Sequence, residues 1–187
     1  MTRRKLPVVH DRREAPAARW MRRECLDLEF EECEQRTYTR LVTHGLGAVI
    51  VVPLLDDETV LLAREYACGL HHYELGLPKG RMEAGETAEE TANREMKEEI
   101  GYGARDLREI NAFSLAPAYM SHVTHIVLAR DLYPEKLAGD EPETIDVVQW
   151  SLHDLRTLAE REDCTEGRTI AALYYARDYL NDENRHD

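Results

Sequence analysis

Residues Gly80–Tyr102 read GRMEAGETAEETANREMKEEIGY, and the spacing of glycines and carboxylates in this stretch decides the fold. Thr87 and Glu90 form a T-x-x-E capping box, which predicts that a helix begins immediately after Thr87. Gly101 and Gly103 offer left-handed positions at which that helix would end. The stretch is therefore expected to form a glycine-containing loop followed by a helix.

Three carboxylates of this helix fall along one side. Glu95 and Glu99 are four residues apart, and Glu98 is three residues after Glu95. Like charges at this spacing cost about 0.2–0.5 kcal/mol per pair. The same side carries Ala88, Thr91 and Ala92, and the opposite side is expected to carry Glu90, Asn93, Arg94 and Lys97. The small residues indicate that the carboxylates approach the rest of the protein.

Burial of unpaired carboxylates is costly, so a cation is expected beside them. Carboxylate oxygens are hard ligands that suit Mg²⁺ or Mn²⁺. The alternative interpretation is a solvated acidic helix face, which is common in Glu-rich helices.

Composition limits the classes of function. A chain of 187 residues is long enough for one domain with an ample core, with room for a small extra module. Its net charge of -13 argues against a nucleic-acid or membrane surface as partner, and an anionic substrate would be repelled unless metal ions reverse the local field. The four cysteines form no C-x-x-C pair and are expected to be free thiols. Since no apolar run resembles a secretory signal or a membrane span, we expect a cytoplasmic protein.

Hydrophobic periodicity divides the rest of the chain into strands and two closing helices. Residues 1–19 are predicted to be an irregular arm. The predicted strands cover residues 20–31, 35–42, 47–55, 59–66, 73–77, 108–115, 123–131 and 146–151. Helices are predicted over residues 152–160, with Ser151 as N-cap, and over residues 169–180.

The stretch Gly80–Tyr102 resembles, position for position, the signature of the Nudix hydrolases. Segments 74–80, 114–121 and 131–143, and the N-terminal strands around CLDLEF, resemble the ADP-compounds hydrolases, a subgroup close to the ADP-ribose pyrophosphatases. The resemblance implies an α/β fold, an α/β/α sandwich around a mixed sheet, with a small N-terminal antiparallel β segment. It divides the chain into residues 1–44, an arm and β segment, and residues 45–187, a Nudix hydrolase domain.

The resemblance also implies an activity and its metal ligands. The activity is metal-dependent hydrolysis of the diphosphate linkage in compounds of ADP with a group X, such as ADP-ribose, diadenosine triphosphate and NADH. Glu95 and Glu99 would be ligands of Mg²⁺ or Mn²⁺, and Glu98 a ligand directly or through water. The carbonyl of Lys79 is a plausible further ligand.

The general base is expected in a second acidic loop, which lies within residues 139–147 and is called the acidic loop below. By the pattern of the related pyrophosphatases, Glu141 would be the base and Glu143 a further metal ligand. An ordinary polar turn is the alternative for this loop, and Glu98 is the competing base. Arg94 is expected to form an ion pair with Glu86 that braces the loop against the helix.

Substrate choice depends on weaker signals. Pro117 and Tyr119 occupy positions that the resemblance associates with ADP-ribose and diadenosine polyphosphate hydrolysis, and together they favour a broad preference for ADP compounds. Tyr119 is equally compatible with an ordinary loop aromatic. Ala67 stands where the related pyrophosphatases have an arginine, so the diphosphate clamp must differ. Arg64 is the candidate replacement, and Glu74 is a further candidate for contact with substrate or metal.

Three questions remain open at the level of sequence: the oligomeric state, the substrate and the class of function. Relatives with a similar N-terminal sheet are homodimers, but an edge hairpin that covers its own domain has the same alternation. Within the enzyme class, the substrate could be another nucleoside diphosphate compound or a nucleoside triphosphate. Outside it, the candidates are a non-catalytic Nudix binding module and a simple ion-binding protein, which leaves the glycine spacing unexplained.

Overall fold

The computed structural model describes residues 21–31, 34–139, 142–183 and 185, so the predicted arm over residues 1–19 lies outside the described residues. The described strands are β1 Met21–Glu29, β2 Gln35–Thr43, β3 Ala48–Pro53, β4 Thr59–Ala67, β5 His72–Gly76, β6 Lys79–Arg81, β7 Tyr102–Ser114, β8 Val123–Pro134 and β9 Asp146–Ser151. The helices are α1 Ala88–Glu99, α2 Leu155–Ala159, preceded by the 3-10 turn Leu152–Asp154, and α3 Gly167–Glu183. In this part of the chain, no helix is both long and apolar enough to cross a membrane.

The strands form three sheets. Strands β6, β3, β8 and β7 make a mixed four-stranded sheet, in which β3 and β8 are parallel. Strands β5, β4 and β9 make a three-stranded antiparallel sheet, and β1 pairs with β2 in a separate antiparallel hairpin. The predicted mixed sheet and N-terminal β segment are both confirmed.

Two hydrophobic cores lie on opposite faces of the central strands. Side chains alternate across a strand, so Ile50 and Val52 of β3 enter a core shared with α2 and α3. Val49 and Val51 enter a second core, which α1 closes with Met96. This two-sided burial explains why β3 is a continuous apolar run, and it confirms the predicted sandwich with helices on both faces.

The helix α1 starts where the sequence predicts. The Thr87 hydroxyl accepts a hydrogen bond from the Glu90 amide (3.2 Å), and the Glu90 carboxylate accepts one from the Thr87 amide (2.9 Å), which completes the capping box. At the other end, Gly101 has a φ of 74°, in the left-handed region that favours glycine. Gly103 is different, because it lies within β7.

Three predictions about the neighbourhood of α1 are wrong. Gly103 has no role in ending the helix; a Cβ there would lie 2.5 Å from Cζ of Tyr133, so glycine is needed for close packing. β7 consequently starts at Tyr102, six residues earlier than predicted, and pairs with β8 as far as Pro134. The predicted loop at Gly80 is the short strand β6, whose backbone pairs with β3.

The β1–β2 hairpin is attached to the rest of the chain near its open end. The Leu41 amide donates to the carbonyl of Tyr119 (2.7 Å), and the Ser121 amide donates to the carbonyl of Leu41 (3.0 Å). The Thr43 amide donates to the hydroxyl of Ser121 (3.1 Å). The far end of the hairpin therefore extends beyond these contacts.

Candidate active site

A cleft of about 970 Å³ opens between β6, the C-terminal half of α1 and the chain near Gly139. Among the described residues, five glutamates and three basic residues line it: Glu65, Glu83, Glu95, Glu98 and Glu99, with Lys79, Arg81 and Arg94. The excess of carboxylates makes this cleft a site for cations or for anions that arrive with cations.

Gly80 makes room for the first of the carboxylates. Glu95 is only 9% exposed, and a Cβ placed on Gly80 would lie 1.8 Å from its Oε1 atom. With the Glu95 carboxylate in this position, any side chain at Gly80 would overlap it. The absence of a side chain at Gly80 allows the Glu95 carboxylate to lie against the β6 backbone.

Glu99 is the most deeply buried of the cleft carboxylates that α1 carries. It is 4% exposed, and its two oxygens lie 3.4 and 3.3 Å from the amide nitrogen of Lys79. Burial raises the pKa of Glu99 well above its ordinary value, and repulsion from Glu65 and Glu95 adds to the increase, while Lys79 opposes it. The ionised form of Glu99 therefore needs more positive charge than the described residues supply.

Arg94 lies among the carboxylates, and the prediction that it occupies the opposite side of α1 is wrong. Its Nε and Nη2 atoms donate to the two oxygens of Glu86 (2.9 and 3.1 Å), which is the predicted ion pair. Its Nη1 atom donates to Glu95 (2.8 Å) and to Glu98 (3.2 Å). A long arginine side chain can bend along the helix surface toward residues one and four positions away, which the position of its Cα does not reveal.

The Arg94 guanidinium also stabilises the ionised form of Glu86 in the loop before α1. It holds the pKa of Glu86 down at about 2, together with the hydroxyl of Thr91 and the amide of Glu83. The pKa of Arg94 is itself raised by Glu86 and Glu95 despite its partial burial. Since Arg94 also donates to the carbonyl of Arg81 (3.1 Å), one side chain fixes β6, the loop and the helix together.

The donor chemistry of this helix face fits a divalent metal ion. Glu95 and Glu99 supply hard oxygen atoms, and burial together with repulsion from Glu65 and Glu95 raises the pKa of Glu99, so a bound cation would favour its ionised form. Among the described residues, no three His, Cys, Asp or Glu side chains are grouped closely enough to hold a metal. Arg94 instead bridges Glu95 and Glu98.

Glu65 is a cleft residue that the sequence analysis missed. Its Oε2 atom lies 3.0 Å from Nζ of Lys79. Burial alone would lower the pKa of Lys79, but attraction to Glu65, Glu99 and Glu166 outweighs it and raises the pKa. The signal was present, because Leu61 and Ala63 of β4 face the α1 core and alternation places Glu65 on the same face.

The predicted substrate residues do not line this cleft. Nη1 of Arg64 pairs with Asp163 at 2.6 Å, and Arg161 and Arg64 together hold the pKa of Asp163 at about 2. Glu74 accepts hydrogen bonds from the amide (2.9 Å) and hydroxyl (2.8 Å) of Thr165. Tyr119 is 53% exposed and lies beside the β1–β2 hairpin.

The acidic loop borders the cleft at one end. Gly139 lines the cleft, and Glu141 lies outside the described residues. Glu143 accepts a hydrogen bond from the hydroxyl of Tyr73 (2.7 Å) and lines a smaller cavity together with Arg64 and Glu65. The structure thus brings Lys79, Arg94, Glu95, Glu98 and Glu99 together, and it places Glu143 beside a neighbouring cavity.

Three comparisons with known proteins indicate the same family. The NUDIX domain profile matches residues 45–173. The chain is 45% identical over 162 residues to the ADP compounds hydrolase NudE of Escherichia coli, covering 87% of each chain. It is 31% identical over 156 residues to an ADP-ribose pyrophosphatase of Bacillus subtilis, covering 80% of this chain and 84% of that one. A crystal structure of an ADP compounds hydrolase superposes with a TM-score of 0.81 at 41% identity over 97% of both chains.

The fold is a sandwich in which α1 carries glutamates against β6, the strand that contains Gly80. Together with the match to the NUDIX profile, this arrangement defines a class of pyrophosphohydrolase. The chain belongs to the Nudix hydrolase family. Members of this family act on nucleotide substrates and use divalent metal ions.

We expect Gly80→Ala to destabilise the protein by about 1–3 kcal/mol, because the new methyl group overlaps the buried Glu95 carboxylate. Urea unfolding with a chelator present measures the change. Gly69→Ala is the matched control, because Gly69 has no atom within 4 Å of a new Cβ. At position 69, alanine lowers the conformational entropy of the unfolded chain, so the free energy of unfolding should stay unchanged or rise slightly. Equal urea midpoints for the two variants would contradict the close contact between Gly80 and Glu95.

Proposed function

We propose that this protein hydrolyses the diphosphate linkage of ADP-X compounds and releases AMP, with Mg²⁺ or Mn²⁺ as the metal. The observation that carries the proposal is the cleft that Glu95, Glu98 and Glu99 of α1 line together with Gly80. The similarity to an ADP compounds hydrolase and to an ADP-ribose pyrophosphatase, each over most of the chain, supports ADP as the common part of the substrate.

The carboxylates of α1 are the proposed ligands. Glu95 and Glu99 would hold the ion, with Glu98 as a direct or water-mediated ligand and the Lys79 carbonyl as a further one. A bound divalent ion neutralises phosphate oxygens and polarises the phosphorus toward water. Arg94 keeps the Glu95 and Glu98 carboxylates in place through its hydrogen bonds, and its bidentate bond to Glu86 fixes the preceding loop.

Space next to the cleft suits the rest of the substrate. A cavity of about 310 Å³ shares Glu65 and Lys79 with the cleft and adds Tyr66 and Leu70, which offer apolar contact. A diphosphate held at α1 could therefore extend past Lys79 into this cavity. Glu74 lines this cavity and remains a proposed substrate contact. Arg64 and Tyr119 also remain proposed contacts, but they line neither the cleft nor this cavity.

The proposed general base is Glu141, which would take a proton from the attacking water. Support comes from the position of Gly139 at the edge of the cleft, two residues before Glu141. Glu143 is the proposed additional ligand, and support comes from the cavity that it lines together with Glu65, a residue of the cleft wall. Glu98 is the competing base on α1.

A product assay tests the proposed function. ADP-ribose, diadenosine triphosphate, NADH, dGTP and GDP-mannose are incubated with Mg²⁺, with Mn²⁺ or with a chelator. We expect AMP and ribose 5-phosphate from ADP-ribose, poorer hydrolysis of dGTP, and no products with the chelator. Glu99→Gln should lose most activity because a ligand is lost. Glu160→Gln, an exposed residue paired with Arg156, is the matched control and should retain it.

Faster hydrolysis of dGTP or GDP-mannose than of every ADP compound would overturn the substrate assignment. Normal turnover by Glu99→Gln at limiting metal would overturn the ligand assignment. The two results are independent, since the first concerns the substrate and the second concerns α1.

A second comparison separates the candidate bases. At saturating Mg²⁺, Glu141→Gln is expected to lower kcat by about 10²–10⁴-fold with a smaller change in KM, because proton removal occurs in the transition state. Glu143→Gln should instead raise the metal concentration needed for half activity, and Glu98→Gln should lose less kcat than Glu141→Gln. Rates are measured across pH. If Glu141→Gln keeps a near-normal kcat while Glu98→Gln collapses, the base is on α1.

We also propose that the protein is a cytoplasmic homodimer, that residues 1–44 form a dimerisation segment and that residues 45–187 form the hydrolase domain. A two-stranded sheet is marginally stable alone, and the β1–β2 hairpin exposes Leu28, Phe30 and Tyr38. The family profile starts at residue 45, directly after β2. A second copy of the hairpin supplies the same apolar surface, so a symmetric contact would cover both.

Sedimentation equilibrium tests the dimer. We expect twice the 21.6 kDa chain mass for the wild type and the mass of one chain for Phe30→Asp combined with Tyr38→Asp, because two charges would be buried at the contact. Leu55→Asp, another exposed apolar position outside the hairpin, is the control and should leave the mass unchanged. A monomeric wild type at micromolar concentration would refute the proposal.

A further inference from the structure

The chain that leaves β8 crosses the C-terminal end of α1 before it reaches the cleft. The amide of Glu135 donates to the carbonyl of Gly101 (3.0 Å), just beyond the end of the helix. The amide of Leu137 donates to the carbonyl of Lys97 (3.1 Å). Ala138 and Gly139 follow at once as part of the cleft wall. Residues 135–137 thus connect the catalytic helix with the entry to the acidic loop.

Lys136 is the centre of this connection. Its ammonium donates a hydrogen bond to the carbonyl of Glu98 and lies 3.4 Å from the carbonyl oxygen of Glu99. The last four carbonyls of a helix have no partner within the helix. Here residues 136 and 137 supply donors to three of them, those of Lys97, Glu98 and Glu99.

The chemistry at this helix end favours a lysine. The C-terminal carbonyls of a helix carry partial negative charge, so a cation there is attracted by the helix dipole as well as by its hydrogen bonds. The side chain also packs on the turn, because its Cδ atom would lie 3.5 Å from a Cβ placed on Gly101. A second attachment nearby is the ion pair between Nζ of Lys97 and Glu135 (2.8 Å).

The residues held by Lys136 have their side chains in the cleft. Glu98 and Glu99 present their carbonyls to Lys136 and their carboxylates to the proposed metal site. The next residues along the chain from Lys136 lead, within five positions, to Glu141. One side chain therefore connects the two parts of the chain that must be correctly spaced for water to be activated near the diphosphate.

We propose that Lys136 is a positioning residue that fixes residues 135–139, which lead into the acidic loop, against the ligand-bearing end of α1. The inference rests on the proposed diphosphate hydrolysis with Glu141 as its base, since it assigns the spacing of that site to a residue outside it. Loss of the ammonium displaces the loop entry, and misplacement of a catalytic group by about 1 Å can cost about 10²-fold in rate. A helix cap without this role would change stability and leave kcat at saturating metal unaltered.

The test compares Lys136→Met, Lys136→Arg and Arg105→Met in the full chain. Methionine keeps the length of the side chain and removes its donors, whereas arginine keeps the charge and the donors. Arg105→Met is the charge-matched control, because Arg105 is exposed and pairs with Asp131 (3.0 Å) outside the cleft. For each variant we would measure kcat, KM and the Mg²⁺ concentration for half activity with ADP-ribose. Amide hydrogen exchange at residues 135 and 137 is measured in parallel.

Lys136→Met is expected to lower kcat by about 10- to 100-fold, while KM and the half-activating Mg²⁺ concentration change by less than about threefold. The amides of Glu135 and Leu137 should exchange faster in this variant. Lys136→Arg should recover most of kcat, and Arg105→Met should match the wild type in every measurement.

A kcat for Lys136→Met equal to that of Arg105→Met would overturn the inference, even if exchange is faster. A raised Mg²⁺ requirement with an unchanged kcat would overturn it too, because Lys136 would then act on the ligands alone. If the wild type hydrolyses no ADP compound, the proposed function fails separately. Amide exchange then tests whether Lys136 attaches residues 135–137 to the end of α1. Faster exchange in Lys136→Met supports this attachment, and unchanged exchange overturns it.

Discussion

The structure of the site depends on placing two like-charged glutamates of one helix against the backbone of a neighbouring strand. Glu95 and Glu99 are both almost fully buried, and a carboxylate in that position must be compensated. Gly80 gives the first carboxylate its space, and the Lys79 amide faces the second. The compensation that backbone groups provide is partial, and the remainder must come from cations, which explains why Arg94 lies where it does.

Arg94 and Lys79 compensate this charge in different ways. Arg94 bonds directly to Glu86, Glu95 and Glu98 and keeps their relative positions. The ammonium of Lys79 is directed to the other wall of the cleft, where Glu65 receives it. No described arginine or lysine side chain is bonded to the carboxylate of Glu99. Burial is the main cause of its raised pKa, and repulsion from Glu65 and Glu95 adds to it. Arg94 thus holds Glu86, Glu95 and Glu98 in place at one end of the cleft. At the other end, the Glu99 carboxylate has no bonded cationic side chain among the described residues.

The features that the sequence predicted correctly depend on neighbouring residues. The capping box at Thr87 and the apolar run of β3 are signals contained within a few positions, and the structure confirms both. The features it missed depend on partners far along the chain. Gly103 serves contact with Tyr133, and the extension of β7 depends on pairing with the end of β8. No local pattern carries that information.

The site shows the same division between local and distant information. Glu95, Glu98 and Glu99 could be grouped from helical spacing, whereas the bend of the Arg94 side chain and the pairing of Arg64 with Asp163 could not, because both depend on side-chain directions and remote partners. The division of the interior into two cores has a different consequence. Ile50 and Val52 pack away from α1, on the side of α2 and α3, so the interior beneath those two helices does not contact the carboxylates of α1. Leu77, two residues before Lys79, belongs to the same core. A redesign of that interior for thermal stability would therefore leave Leu77 and its neighbours in β5 unchanged.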